Sequence, residues 1–157
     1  MYLKKGRCQD LNIKTKYFDE VEINEEDIIT FQNGLPGFLE EKQFVLMNLE
    51  DTVFQVLQSV TTEGLAFIVV NPFQFKADYS FILDDQVVEQ LQIESNEDVT
   101  ILSIVTLKES LKQSTVNLKA PLVINAKSKE GKQYIIQKTD YTTKESIFTA
   151  LNKKEDE

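Results

Sequence analysis

One short stretch restricts what this chain can fold into more than any other: Ile28-Ile29-Thr30-Phe31-Gln32-Asn33-Gly34-Leu35-Pro36-Gly37-Phe38. A short apolar strand, Ile28 to Phe31, runs into a bend whose residue types geometry nearly dictates. Pro36 holds φ near the value needed at the second position of a type II turn, and Gly37 supplies the positive φ needed at the third. Leu35 and Phe38 flank the bend with apolar side chains.

The rest of the chain reads as more short strands. Asn12 to Phe18 alternates Ile13, Thr15 and Tyr17 with Lys14 and Lys16, a half-buried strand, and Val21 to Ile23 continues it after a bend at Asp19-Glu20. Gln43 to Leu49 and Val53 to Ser59 flank Glu50-Asp51, which reads as a hairpin turn. Leu65 to Val70 is a continuous apolar run, so both its faces are expected to be covered. Asn71-Pro72 ends it, because proline cannot donate to a ladder. Further strands are expected at Tyr79 to Leu83, Val99 to Leu107, Val116 to Leu118, Leu122 to Ala126 and Gln133 to Gln137, with Lys129 to Lys132 as a turn. One helix stands out, capped by Asp84 with Asp85 in its first turn and an apolar face of Val87, Val88 and Leu91. A second short helix is expected over Thr142 to Leu151. The pattern predicts an all-β fold, an antiparallel barrel or roll of short strands with one or two short helices. We read a single domain over residues 12–151, an N-terminal extension over 1–11 and a frayed charged tail over 152–157.

With 157 residues the chain is long enough to bury a sizeable core. No apolar run reaches transmembrane length. The basic start, Met1 to Cys8, is followed by no apolar core, so no secretory signal is expected. Cys8 is the only cysteine, which excludes an internal disulfide and fits a reducing cytoplasm. The net charge of −9 is unevenly laid out: residues 17–107 hold 18 acidic side chains against two basic ones, Lys42 and Lys76. Such a field repels phosphate backbones, so nucleic acid is not expected as a partner, whereas a basic protein would be steered towards it.

Much catalytic chemistry is missing. The chain has no histidine, which removes the commonest general base near neutral pH and the commonest metal ligand. Ser-His-Asp and Cys-His arrangements are impossible, and the five glycines assemble no phosphate-cradling loop. The carboxylate pairs Glu40-Glu41, Glu50-Asp51 and Asp84-Asp85 each sit beside a turn or helix start, where a solvated turn or a cap explains them. No enzyme activity, cofactor or metal is expected. Asn71, Asn117 and Asn125 lie at strand ends or inside β segments, where their side chains are expected to bond to local backbone and shape turns.

The ordered motifs resemble a known family. The strand running into Gly34-Leu35-Pro36-Gly37-Phe38 is similar to the signature of the flagellar assembly factor FliW family. Ile13 to Phe18, Phe54 to Ser59, Phe67 to Phe73 with Asp78-Tyr79, Asn117 to Asn125 with Pro121, and Gly131 to Tyr134 with Tyr141 resemble its other segments in order and spacing. The resemblance covers residues 12 to about 148. It implies a non-enzymatic cytoplasmic regulator of flagellum biogenesis. Such a protein binds flagellin and also sequesters CsrA, a dimeric RNA-binding repressor of flagellin translation.

For CsrA the expected surface is the acidic stretches holding Asp19, Glu20, Glu22, Asp84, Asp85 and Glu89. For flagellin it is a groove near Phe73, Phe75 and Tyr79. The motif residues Gly34, Leu35, Pro36, Gly37, Phe38, Asn71, Pro72, Asn117, Pro121 and Asn125 are read as architectural. The alternative is a barrel that binds a small ligand, which would need an apolar pocket with convergent polar groups; a filled interior would count against it.

Overall fold

The structure is a computed structural model and describes residues 10–110 and 113–147. Cys8, residues 1–9 of the expected extension, the end of the expected second helix with Phe148 and Leu151, and the 152–157 tail lie outside the described residues.

Strands β1 (Asp10–Thr15) and β2 (Asp19–Asn24) form an antiparallel hairpin. Its turn is Lys16 to Phe18 rather than Asp19-Glu20, and the strand begins at Asp10, two residues before the expected start. The Thr15 hydroxyl accepts from the Phe18 N–H at 2.8 Å, and Asp19 takes a left-handed φ of 59°, a conformation that aspartate tolerates. Asn24 then caps a short 3₁₀ turn, Glu25–Asp27.

The main sheet follows with β3 (Ile29–Phe31), β4 (Gln43–Asn48), β5 (Gln55–Ser59) and β6 (Ala66–Val70), each antiparallel to the one before. After helix α1 (Asp85–Gln90) come β7 (Val99–Thr106), β8 (Thr115–Val116), β9 (Leu122–Asn125), β10 (Glu130–Gln133) and β11 (Glu145–Ser146). Strand β7 pairs with β6 along one part and with β9 along another, and β10 returns to lie parallel to β3. The circuit β3-β4-β5-β6-β7-β9-β10 therefore closes on itself, with β8 and β11 hung on β7. Every pair is antiparallel except the closing one, whose register is Gly131 to Phe31.

Side-chain alternation sorts two cores onto the two faces of this sheet. Ile29, Phe31, Phe44, Leu57, Val69, Leu102, Leu122 and Ile124, from six of the barrel strands, fill the lumen together with Leu35 of the turn. Phe31 meets Phe44 edge-on at 5.7 Å, and neither has any solvent exposure. Each such burial is worth about 1.5–3 kcal/mol. The opposite face carries Val56, Ile68, Val70, Val105 and Val123, covered by the loops and α1 between β6 and β7 and by the C-terminal segment. Thus Ile68, Val69 and Val70 are buried on alternating faces, as the continuous apolar run predicts.

The β1–β2 hairpin lies over Val45 through Ile13 and Ile23. Gln58 fixes it there. Its buried amide oxygen accepts from the Lys16 N–H at 3.0 Å, and its amide nitrogen lies within hydrogen-bonding reach of the Ser59, Thr62, Glu63 and Leu65 carbonyls.

Four expected elements differ. Tyr79 to Leu83 alternates buried or half-buried side chains with exposed ones, as a strand does, but among the described residues it pairs with no strand. Side chains hold it instead: the Tyr79 hydroxyl donates to the Leu118 carbonyl, the Ser80 N–H to the Tyr141 hydroxyl, and the Tyr134 hydroxyl to the Ile82 carbonyl. The turn expected at Lys129 to Lys132 lies earlier, at Ala126 to Lys129, the strand expected over Gln133 to Gln137 is instead Glu130–Gln133, and Gly131 is a strand residue. Its missing side chain makes room for Phe31, since a Cβ there would stand 2.7 Å from the ring. At the C-terminal end Glu145 and Ser146 pair with β8 instead of opening a helix at Thr142.

Candidate functional site

The turn singled out by the sequence is built as expected. The Phe38 N–H donates to the Leu35 carbonyl at 2.7 Å, and Gly37 has φ of +86°. Gly34 has φ of +67°, and a Cβ on it would strike the Leu39 backbone at 2.3 Å. Leu35 is sealed in the lumen, while Phe38 packs edge-on against Phe67 at 5.8 Å. Pro36 stands exposed at the corner.

Glu41, just beyond this turn, ties it to the β5–β6 loop. Its carboxylate accepts from the hydroxyls of Ser59, Thr61 and Thr62. These donors, Thr62 above all, hold the carboxyl below its ordinary range despite a smaller opposing effect of desolvation. Glu50 and Asp51 form the β4–β5 turn, where Asp51 takes φ of 62°. Among the described residues no group of three His, Cys, Asp or Glu side chains is arranged to hold a metal ion. None of the described helices is long and apolar enough to cross a membrane.

All three asparagines accept from nearby backbone N–H groups, as expected, and Asn125 also reaches a distant element. Asn71 accepts from the Phe73 N–H at 2.9 Å and starts a 3₁₀ turn, Pro72–Gln74, with Pro72 at its first position. Asn117 accepts from the Ala120 N–H at 2.9 Å, just before the buried Pro121. Asn125 does most. Its oxygen accepts from the Lys127 and Ser128 N–H groups, and its nitrogen donates to the Leu91 and Gln92 carbonyls, the nearer at 2.7 Å. It thus joins the β9–β10 turn to the end of α1, whose last carbonyls lack intrahelical partners. Gln92 ends that helix with φ of 54°, and the Ile93 N–H reaches back to the Val88 carbonyl.

Anchored in this way, α1 and the Ser80–Leu83 segment enclose an open cleft of about 780 Å³ on the outside of the barrel. Phe81, Leu83, Val88, Ile93 and Ile101 form much of its wall. Phe73, Tyr79 and Phe81 are linked by ring contacts of 5.5 and 5.6 Å, and Tyr141 lies 4.8 Å from Tyr79. Burial, with Tyr141 adding to it, pushes the Tyr79 phenol well above its ordinary value; burial and then Asp84 push Tyr134 the same way.

Phe73 and Tyr79, both expected in a groove, do line this cleft, but Tyr79 is only 2 % exposed and Phe73 43 %. Phe75 is a core residue, buried by its packing in the outer cluster, so it offers no surface. The expected acidic surfaces lie on different elements. Asp19, Glu20 and Glu22 stand exposed on the β1–β2 hairpin, while Asp84, Asp85 and Glu89 stand exposed at α1. Asp84 occupies the cap position without a side-chain cap bond. Sequence reasoning missed Ile82 and Ile93 as cleft residues, and held Glu94 only as part of the acidic stretch Asp84 to Asp98. Alternation could have found Ile82: Tyr79, Phe81 and Leu83 share one face of the segment, which leaves an isoleucine on the other.

The molecule is thus a closed β-barrel whose interior is filled by its own side chains and whose concave surface lies outside, under a layer of loops. The FliW protein family model matches residues 12–147, and the chain belongs to that family. It is 52 % identical over 136 residues to the flagellar assembly factor FliW of Bacillus licheniformis, covering 86 % of this chain and 95 % of that protein. It is 49 % identical over 138 residues to that of Geobacillus kaustophilus, covering 88 % and 96 %. A crystal structure of a flagellar assembly factor FliW superposes with a TM-score of 0.84 at 47 % identity, covering 87 % of this chain and 96 % of that one.

Proposed function

We propose that this protein is a flagellar assembly factor that works by binding other proteins rather than by catalysis. Flagellin and the translational repressor CsrA are its two alternative partners. When flagellin is scarce the protein sequesters CsrA and flagellin translation proceeds; when flagellin accumulates it captures the protein and frees CsrA to repress. The switch operates in the cytoplasm and involves no direct contact with nucleic acid or membrane.

The observation that carries this reading is membership of a family whose named relatives are flagellar assembly factors, over nearly their whole length. The charge layout supports it, because the acidic side chains of residues 17–107 favour a basic partner and repel its RNA. The filled lumen counts against a small ligand inside the barrel.

The test is size-exclusion chromatography of the protein with CsrA from the same organism, repeated with flagellin added. The expected result is a complex that flagellin dissolves. No complex with either protein, well above micromolar concentrations, refutes the reading. Raising the salt is expected to slow the association with CsrA.

A further inference from the structure

We propose that the cleft beside Ser80–Leu83 binds an extended, lysine- or arginine-bearing segment of a protein partner, laid along residues 80–83 as an added strand. The inference rests on the reading that this protein acts by holding other proteins.

Three independent features converge on this occupant. The first is apolar surface. Ile82 is 88 % exposed, on a segment whose neighbours Tyr79, Phe81 and Leu83 turn inward, and it borders the same cleft as Ile93 and Ile101. The second is backbone. Among the described residues the N–H groups of Phe81, Ile82 and Leu83 make no hydrogen bond, and in this segment only the Ile82 carbonyl is taken, by the Tyr134 hydroxyl at 3.2 Å. Successive N–H groups of a strand-like segment point to opposite edges, so an added strand would take those of Phe81 and Leu83, on the edge away from the Ile82 carbonyl. A helix laid in the same place has no free backbone groups along its length to satisfy these, and would bury them unpaired.

The third feature is charge. Glu94 borders this cleft and also the adjoining hollow, which Asp85, Glu89 and Asp98 share. Among the described residues the one cation lining that hollow, Lys127, is 3.5 Å from Asp98 and already committed to it. An added strand would place alternate side chains into the apolar cleft and set its cationic residues towards this acidic end. An acidic segment would meet repulsion there.

The test uses the full chain, labelled with ¹⁵N, titrated with the peptide acetyl-Lys-Val-Lys-Val-Lys-amide and with its glutamate counterpart. The expected result is saturable shift changes centred on the amides of residues 80–83 and 93–94 with the lysine peptide, and binding weaker by about tenfold or more with the glutamate peptide. Ile82→Lys and Glu94→Lys are each expected to weaken the lysine peptide by a similar factor, with an unchanged thermal midpoint because both side chains are exposed. Absent shifts at millimolar peptide, shifts centred elsewhere, equal binding of both peptides, or unaffected variants each overturn the proposal. If the chromatographic complexes form while the peptide arm fails, the partner docks elsewhere and the cleft proposal falls. If the peptide arm succeeds while no complex forms, the cleft stands and the assignment of partners falls.

Discussion

Replacing Gly131 by alanine tests the packing logic of the barrel closure. Gly131 sits on β10 opposite Phe31 of β3, in the one parallel pair of the barrel. An alanine Cβ would lie 2.7 Å from Phe31 Cε1, 3.0 Å from Cζ and 3.1 Å from Ile124 Cγ1. The shortest of these is roughly 0.8 Å inside normal carbon–carbon contact. A ring tip at the surface would swing aside. Phe31 has no exposure and is held edge-on by Phe44, so the strain must spread into the lumen. Overpacking of this kind costs about 1–3 kcal/mol, offset by about 0.4–1 kcal/mol because alanine restricts the unfolded chain.

The expected net loss is about 1–2 kcal/mol, or roughly 2–8 °C in thermal midpoint for a domain of this size. Urea denaturation followed by circular dichroism reads it. Phe31→Leu in the same chain is expected to relieve part of the clash, so the double variant falls short of additivity by about 0.5 kcal/mol or more. Gly37→Ala is the contrast: nothing stands within 4 Å of its Cβ, and its cost of about 1–2 kcal/mol arises from φ alone and does not depend on Phe31. If Gly131→Ala is as stable as the parent, or strictly additive with Phe31→Leu, the argument that this glycine exists to admit the ring is wrong.

Asn125→Ala removes four hydrogen bonds and strands the Leu91 carbonyl, for an expected loss of about 2–4 kcal/mol; hydrogen exchange should show α1 amides losing more protection than those of β5. Glu41 is held below its ordinary value by its hydroxyl donors, so its contribution is present above the unfolded value near 4.5 and is lost as pH falls through the folded one. Thr62→Val should move the NMR-titrated Glu41 carboxyl upward, and an unmoved titration would discard that account. Tyr79 and Tyr134 are raised by burial, so the fold retains phenol protons that the unfolded chain releases near pH 10. Stability is therefore expected to hold below that pH and to decline above it, by up to about 1.4 kcal/mol per pH unit for Tyr79, with Tyr134 acting in the same direction; urea midpoints from pH 8 to 11 check this.

The sequence by itself determined what depends on neighbouring residues. Pro36 and Gly37 left one turn open to that stretch, Asn71 with Pro72 ended β6, and the period of Val87, Val88 and Leu91 marked the helix, because backbone conformation and short-range capping are local. The alternating apolar residues also dictated short strands, and hence a barrel or roll. Only the tertiary structure decided how the barrel closes. A parallel pair between β3 and β10 joins segments far apart in the chain, Phe31 with Gly131, and no local pattern encodes which edge meets which. For the same reason Gly131 read as a turn residue: its function is to yield space to Phe31, a residue distant in sequence. Tyr79 to Leu83 carried strand-like alternation, yet three tyrosine hydroxyls hold it where a ladder would. That leaves the exposed Ile82 side chain and the unpaired N–H groups of Phe81 and Leu83 beside an apolar cleft with an acidic end, a juxtaposition that exists only once α1, β7 and the C-terminal tyrosines have packed together.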